Sequence, residues 1–251
     1  MKLGIIIQAR TASTRMEKKV LKTFDNELTL IEIIIDKLYK KFTPQYPIVL
    51  STSLSNEDLI FEKIASKNNI LFFQGDELNV LSRFSETCQH FELTHFIRIC
   101  SDNPFIDVNY IEPLISALNK DLSLDYIGFK LSNDLPTIKS HQGILVELAS
   151  LKAINKVDIY TRENVYFDNL TQFLYQNPQL FKIKLINAPE ILFNRFDIRL
   201  TLDDQDDYLV ISSLYAKLKS FNPKLKDLVN AIDLENDIKQ SMILNIKKHI
   251  K

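Results

Sequence analysis

Glycine is scarce in this chain. Only Gly4, Gly75, Gly128 and Gly143 occur in 251 residues, where an average composition gives about 18. Any loop that cradles phosphate must therefore work with few residues that tolerate positive φ. Ile, Lys and Asn are abundant instead, a bias that points to the coding genome more than to the fold. Two cysteines, Cys88 and Cys100, exclude a disulfide framework and, by themselves, a four-ligand zinc site. They read as buried packing residues of a cytoplasmic protein. No apolar run approaches the roughly 18 to 20 residues that span a bilayer. Excess charge is missing too: 31 Lys and Arg face 32 Asp and Glu, a formal net charge of -1. That balance excludes a general attraction to nucleic acid or to an anionic membrane, and neither is expected as a partner. With 45% hydrophobic and 25% charged residues, the chain is not disordered as a whole. Its N-terminus, MKLGIIIQAR, has a short apolar run but no small-residue cleavage site, so it reads as a first strand.

The pattern along the first 120 residues alternates strands and helices. Leu3 to Gln8, Ile48 to Ser51, Ile70 to Phe73 and His95 to Cys100 read as strands. Helical spacing covers Leu28 to Phe42, a stretch from an N-cap at Ser55 to about Asn68, and Glu77 to Phe91. Such alternation predicts an α/β fold with a mostly parallel, Rossmann-like sheet and helices on both faces. Farther on, Tyr126 to Leu131, Ile138, Gly143 to Leu148, Phe181 to Ile186 and Ile198 to Leu202 read as strands. Leu148 to Lys156, Glu163 to Gln176 and Asp204 to Lys219 read as helices, and the tail from Lys224 as helical and polar-faced. With no repeat or Pro/Gly/Ser linker, one domain over 1–251 is expected. It carries an inserted subregion at 128–175, as an acceptor or dimer face, and a helical C-terminal tail at 220–251.

Ligands of parallel α/β sheets bind at the carboxyl ends of strands. The loop after the first strand has neither Gly-x-Gly-x-x-Gly nor Gly-Lys-Ser/Thr, which argues against a dinucleotide site and a P-loop. It has Ala9-Arg10-Thr11-Ala12-Ser13-Thr14-Arg15 followed by Lys18-Lys19-Val20-Leu21. Four cations and three hydroxyls lie within ten residues, a way to hold a triphosphate with little glycine. On charge alone, a solvated surface loop is an equally good reading. Arg98-Ile99-Cys100-Ser101-Asp102-Asn103-Pro104 puts a carboxylate just past the fourth strand, where it can hold Mg²⁺ against a phosphate or simply cap a turn. Arg199-Leu200-Thr201-Leu202-Asp203-Asp204 ends in a carboxylate pair, of which one can cap a helix while the other reaches a metal.

Together, the three segments resemble the cytidylyltransferases that activate acidic sugars, most closely the spore-coat polysaccharide biosynthesis type. CMP-sialic acid and CMP-Kdo synthetases belong to the same wider group. The resemblance rests on IIQARTASTR with KVL (Gln8, Arg10, Ser13, Thr14, Arg15, Lys19), on SDNPFID (Asp102, Pro104, Asp107) and on RLTLDDQDDY (Arg199, Thr201, Asp203, Asp207, Tyr208). Weaker echoes lie around Gly75 with Asn79 to Phe84, around Gly143 to Glu147 and around Arg162 to Val165. Similar proteins usually have Gly at the positions of Ala12, Lys18 and Ser101, Pro at Glu17, His at Asn164 and Asp at Leu145.

The resemblance implies a nucleotide-diphospho-sugar transferase fold and Mg²⁺-dependent transfer of CMP from CTP to an acidic sugar or related acceptor, with release of pyrophosphate. It implies Arg10, Arg15 and Lys19 as catalytic, and Gln8, Ala9, Arg10, Ser13, Arg15, Lys19 and Arg83 as nucleotide contacts. Asp102 and Asp203 would hold the metal, and Gln142, Glu147 and Arg162 would touch the acceptor. Related synthetases dimerise through such an inserted region, so a homodimer is expected. Two rivals remain at this stage: a nucleotide-sugar-dependent glycosyltransferase and a catalytically weakened nucleotide-binding paralogue. His90 and His95 read as structural, and His249, two residues from the end, as part of a fraying terminus.

Overall fold

The protein is represented by a computed structural model that describes residues 1–13, 15–25, 28–161 and 163–249. Strands β1 (Leu3–Gln8), β4 (Ile48–Ser53), β5 (Leu71–Gly75), β6 (His95–Cys100), β7 (Tyr126–Lys130), β8 (Glu147–Ser150) and β9 (Ile183–Asn187) form one sheet in the order β5-β4-β1-β6-β8-β7-β9. Strand β8 runs antiparallel to both neighbours, and every other pairing is parallel. Strands β2 (Thr23–Asp25) and β3 (Leu28–Thr29) make a separate two-stranded ribbon.

Alternation along the strands divides the core. Ile5 and Ile7 of β1 and Ile97 and Ile99 of β6 enter a larger apolar cluster; Ile6 and Phe96 enter a smaller one on the other face. This is the period-two signature of strands covered on both sides. Helices α1 (Leu30–Phe42), α2 (Ile60–Lys67), α4 (Ile111–Lys120), α9 (Gln205–Leu218), α10 (Leu225–Leu234) and α11 (Asn236–Lys248) supply buried residues to the larger cluster. Helices α3 (Val80–His90), α5 (Leu151–Tyr160) and α7 (Gln172–Gln176) supply the smaller one. The short helices α6 (Asn164–Asp168) and α8 (Glu190–Phe193) complete the set among the described residues. Local chemistry fixes several helix starts. Thr29 and Glu32 form a reciprocal capping box on α1, Asn79 caps α3, Ser150 caps α5 and Asp204 caps α9,. None of the helices is long and apolar enough to cross a membrane.

Several expected boundaries are corrected. Helix α3 starts at Val80 rather than Glu77, because the Asp76 carboxylate accepts the Leu78 and Asn79 N–H groups in a turn ahead of it. Ile138 sits in a 3₁₀ turn, not a strand. The apolar run from Gly143 joins the sheet only at Glu147, since Gly143 has φ +61° and Ile144 O accepts from Asp107 N. Pairing then continues to Ser150, so the next helix begins at Leu151. The helix expected over Glu163 to Gln176 is broken into α6 and α7. Ile198 to Leu202 is not a strand: Leu200 N bonds His141 O and Leu202 N bonds Asp102 O, so the segment threads between two loops. The tail is helical, as expected, and its apolar side packs into the core. Leu228, Val229, Ile232, Ile238 and Met242 are buried in the larger cluster. Residues 128–175, expected as a subregion, contribute strands β7 and β8 to the main sheet and helices α5 to α7 beside it.

Candidate active site

Gln8 pairs with Ser51 of β4 and with Cys100 of β6, so β1, β4 and β6 end together and their loops leave from one edge. The loop after β1 is anchored there by a group the sequence did not single out. Buried Asp58 accepts from Thr11 N at 2.7 Å and Thr11 Oγ1 at 2.6 Å. It also accepts from Thr52 Oγ1 at 2.8 Å and Ser53 Oγ at 2.6 Å. Burial opposes its charge, but the bonds from Ser53, Thr11 and Thr52 outweigh that and hold its pKa below the usual carboxylate range,.

Of the three positions where similar proteins usually have Gly, only Lys18 has positive φ, at 52°. Ala12 and Ser101 therefore cost no left-handed strain, whereas Lys18 holds a conformation that a side chain disfavours by roughly 1–2 kcal/mol. Lys18→Gly is expected to gain about 1 kcal/mol, raising the unfolding midpoint by about 2–4 °C. Calorimetry checks this, and a lower midpoint would contradict it.

The loop returns its cations to two carboxylates from distant segments. Lys19 Nζ donates to Asp102 Oδ2 at 2.9 Å, to Asp203 Oδ1 at 3.3 Å and to Leu202 O at 2.7 Å. Arg15 Nη2 donates to the same Asp203 oxygen at 2.8 Å. Burial would lower the Lys19 pKa, but Asp102 and Asp203 more than reverse this and raise it. For Asp203 burial favours the neutral acid, yet Lys19, Arg15 and Arg199 together keep its pKa below the ordinary value. Asp203 is set from behind by Arg199, which is fully buried. Arg199 Nη2 reaches Asp203 Oδ2 at 3.0 Å, while Nε and Nη2 clasp Asp207 at 2.7 Å each. Arg199 Nη1 donates to His141 Nδ1 at 2.6 Å. The Asp102 loop has its own strut: Lys37 of α1, buried, donates to Pro104 O at 2.9 Å and Ile106 O at 3.0 Å.

Two clefts open on this edge. One, of about 610 Å³, is lined by Gln8, Ala9, Arg10, Ser13, Arg15 and Lys19 among others. The second, of about 530 Å³, is lined by Lys139, His141, Gln142, Gly143, Leu145 and Tyr175, and by Ile246 and His249 of the C-terminal tail. Arg98, Cys100, Asp102 and Asp203 belong to both walls. The structure thus brings the expected phosphate-loop residues and both expected metal carboxylates into one place.

The remaining site residues fall differently. Arg83 is fully buried beside Gly75, where a Cβ would come within 2.9 Å of its side chain. Its Nη1 donates to Asp76 O, whereas Nε and Nη2 are buried with no hydrogen-bond partner among the described residues. Burial, and then Arg10, push its pKa down to about 10. Glu147 lines neither cleft. It is buried beneath Arg98, accepting from Arg98 Nη1 at 2.9 Å, Tyr126 Oη at 2.8 Å and Thr171 Oγ1 at 2.8 Å, while Gln8 Oε1 accepts from Arg98 Nε. Gln142 Nε2 is committed to the backbone carbonyls of Leu192 and Arg195. Thr14 and Arg162 lie outside the described residues.

His249 does not fray. Its ring bridges Arg15 and Asp204 and is nearly buried. The sequence offered no signal for this, since the partners are 234 and 45 residues away.

A cytidylyltransferase family profile matches residues 4–250. The chain belongs to the cytidylyltransferase family. It is 29% identical, over 84% of its length and 85% of the relative's, to the spore coat polysaccharide biosynthesis protein SpsF of Bacillus subtilis. A cytidylyltransferase of Leptospira borgpetersenii shares its fold with a TM-score of 0.83 at 24% identity, covering 96% of this chain and 97% of that one. A CMP:2-keto-3-deoxy-manno-octonic acid synthetase solved with CTP matches at a TM-score of 0.63 and 12% identity, covering 86% and 99%. This cytidylyltransferase is accordingly a nucleotidyltransferase, and its two adjoining clefts suit a reaction between two substrates.

Proposed function

We propose that this cytidylyltransferase transfers CMP from CTP, with Mg²⁺, to an acidic sugar or related acceptor in the making of a surface polysaccharide or glycoconjugate, releasing pyrophosphate. The observation that carries the reading is the wall of Asp102, Asp203 and Arg98 shared by a cation-lined cleft and a second, more apolar one. A triphosphate in the first and an acceptor in the second would meet at that wall. The names of the SpsF and CMP-sugar synthetase relatives support the polysaccharide context and the class of acceptor.

Arg10, Arg15 and Lys19 would bind triphosphate oxygens, with Ser13, Gln8 and Ala9 completing the loop, so the cations sit where negative charge builds up as pyrophosphate leaves. Arg83, with two buried nitrogens lacking partners among the described residues, supports a role in holding a polar part of the nucleotide. Asp102 and Asp203 fit a divalent cation: one oxygen of each already converges on the single ammonium of Lys19, and hard carboxylate donors suit Mg²⁺. The metal would supply charge stabilisation at the phosphates. Arg98, oriented by Glu147 and Gln8, presents fixed positive charge to both clefts; Glu147 serves the acceptor side through it rather than by contact. Gln142, tied to Leu192 O and Arg195 O, shapes the acceptor wall, and an acceptor hydroxyl would attack the α-phosphate from that side. Exposed Ile159, Tyr160 and Val165 at the α5–α6 corner support a homodimer face, and the cytoplasm, where CTP is made, is the proposed compartment.

Thermal unfolding with CTP, UTP, ATP and GTP, each with and without Mg²⁺, tests this. A ligand at about 100 times its dissociation constant stabilises by ~2.7 kcal/mol, worth about 5–10 °C here. The expected result is a shift largest with CTP and strengthened by Mg²⁺. An equal shift with ATP, or none with any triphosphate, would overturn it.

A further inference from the structure

The end of helix α11 closes on the phosphate loop. Arg15 Nη1 donates to His249 Nδ1 at 3.0 Å, and His249 Nε2 meets Asp204 Oδ2 at 2.9 Å. A guanidinium can only donate, so Nδ1 accepts and the ring proton sits on Nε2, facing the carboxylate. The chain of contacts is therefore directional, from Arg15 through a neutral imidazole to Asp204. Asp204 is itself fixed, since its other oxygen caps α9 through Asp206 N and Asp207 N and Lys248 binds Oδ2 at 2.8 Å. Arg15 lines the nucleotide cleft and His249 lines the acceptor cleft, so this contact is a seam between the two.

Arg15 has two such partners, Asp203 and His249. In the proposed reaction Asp203 turns to the metal. The Arg15 side chain is 44% exposed and would then depend on His249 to stay aimed at the phosphates. We propose that His249 is a positioning residue for Arg15, which makes the C-terminal helix a working part of the transfer site. The inference rests on the CTP-binding reading given above. The contribution of His249 is to hold Arg15 in place before CTP arrives; without it, binding must order that side chain at a cost of about 0.5–1.5 kcal/mol, up to about tenfold in affinity.

The test is calorimetric titration of CTP with Mg²⁺ into the full chain, its His249→Ala and His249→Gln variants, Arg15→Ala, and the Arg15→Ala/His249→Ala double variant. Unfolding midpoints are measured alongside without ligand. His249→Ala is expected to bind CTP up to about tenfold more weakly, with a midpoint lowered by a few degrees through loss of the Asp204 bond. His249→Gln, whose amide can accept from Arg15 and donate to Asp204, should recover most of the loss. In the Arg15→Ala background, removing His249 should cost no further affinity. Wild-type affinity in His249→Ala, or the same loss whether or not Arg15 is present, would overturn the inference while leaving the CTP reading intact. A wild-type chain that binds no CTP overturns both.

Discussion

Asp203→Asn is expected to lower Mg²⁺-dependent pyrophosphate release from CTP by roughly 10³-fold, measured with an acid sugar that supports release by the wild type. The substitution keeps the shape of the side chain and removes its charge. One Asp203 oxygen faces Lys19 and Arg15 and the other faces Arg199, so the residue anchors the cationic loop, and in the proposed reaction it would also offer a ligand to the metal. Loss of metal-assisted charge stabilisation is worth several kcal/mol, and about 4 kcal/mol corresponds to ~10³ in rate. Mn²⁺ binding in the presence of CTP should weaken in parallel. The chain should still fold, because Arg199 keeps its paired bonds to Asp207. The wild-type carboxylate lies below its ordinary pKa, so its contribution to stability is complete above about pH 4 and is lost only as pH falls through the folded value. The variant's deficit in unfolding midpoint should accordingly be the same at pH 6 and pH 8. Unchanged Mg²⁺-dependent turnover would remove Asp203 from the metal site.

Asp102 and Asp203 each show locally only as a carboxylate that a cap would explain as well; the family resemblance is what singles them out for a metal. Each carboxylate follows an apolar run, and the cations between Arg10 and Lys19 lie immediately after a strand whose burial is evident from its composition. Strand β6 is legible for a similar reason: His95 to Cys100 is a short, largely apolar run, broken only by Arg98, between a helix end and a turn. What could not be read depends on distant partners. The extended segment at 198–202 has the composition of a strand, yet its N–H groups bond loop carbonyls at 141 and 102. Glu147 looks like a cleft carboxylate until Arg98, Tyr126 and Thr171 are found around it. Asp58, Lys37 and His249 sit on or at the end of unremarkable helical stretches, and contacts 47, 67 and 234 residues away are central to their roles. Periodicity reports burial and local geometry; it carries no information about which buried polar groups will meet.

Lys37 yields the other large effect, on stability against pH. Its amine is buried from solvent and has two acceptors, Pro104 O and Ile106 O, which match the two N–H bonds of the neutral form. Burial lowers its pKa to about 7, against a weaker opposing pull from Asp107. An unfolded lysine titrates near 10.4, so from pH 7 upward the unfolded state holds a proton that the folded state has released. Stability must then rise with pH, by up to about 1.4 kcal/mol per unit. Of the other shifted groups, only the two thiols reach into this window. His95, lowered by burial, acts below its ordinary value. Cys88 and Cys100, pushed up by burial to about 12 and about 11, oppose the rise as unfolded thiols ionise, together by about 0.8 kcal/mol at pH 8.5. Between pH 7 and 8.5 the wild type should gain about 1.6 kcal/mol from Lys37 and keep about 0.8 kcal/mol after the thiols, a rise of roughly 2–3 °C in midpoint. Lys37→Met should lose that slope. At pH 8.5 it should also be the less stable protein, because two buried carbonyls lose their donor at a cost of about 1–3 kcal/mol each. Calorimetry of both proteins across this range decides the point: parallel pH profiles would mean that Lys37 is charged in the folded state throughout. The same strut links stability to the site, since the carbonyls it holds belong to the loop that carries Asp102. Lys37→Met should therefore weaken Mn²⁺ binding in the presence of CTP at either pH, even though Lys37 touches neither substrate.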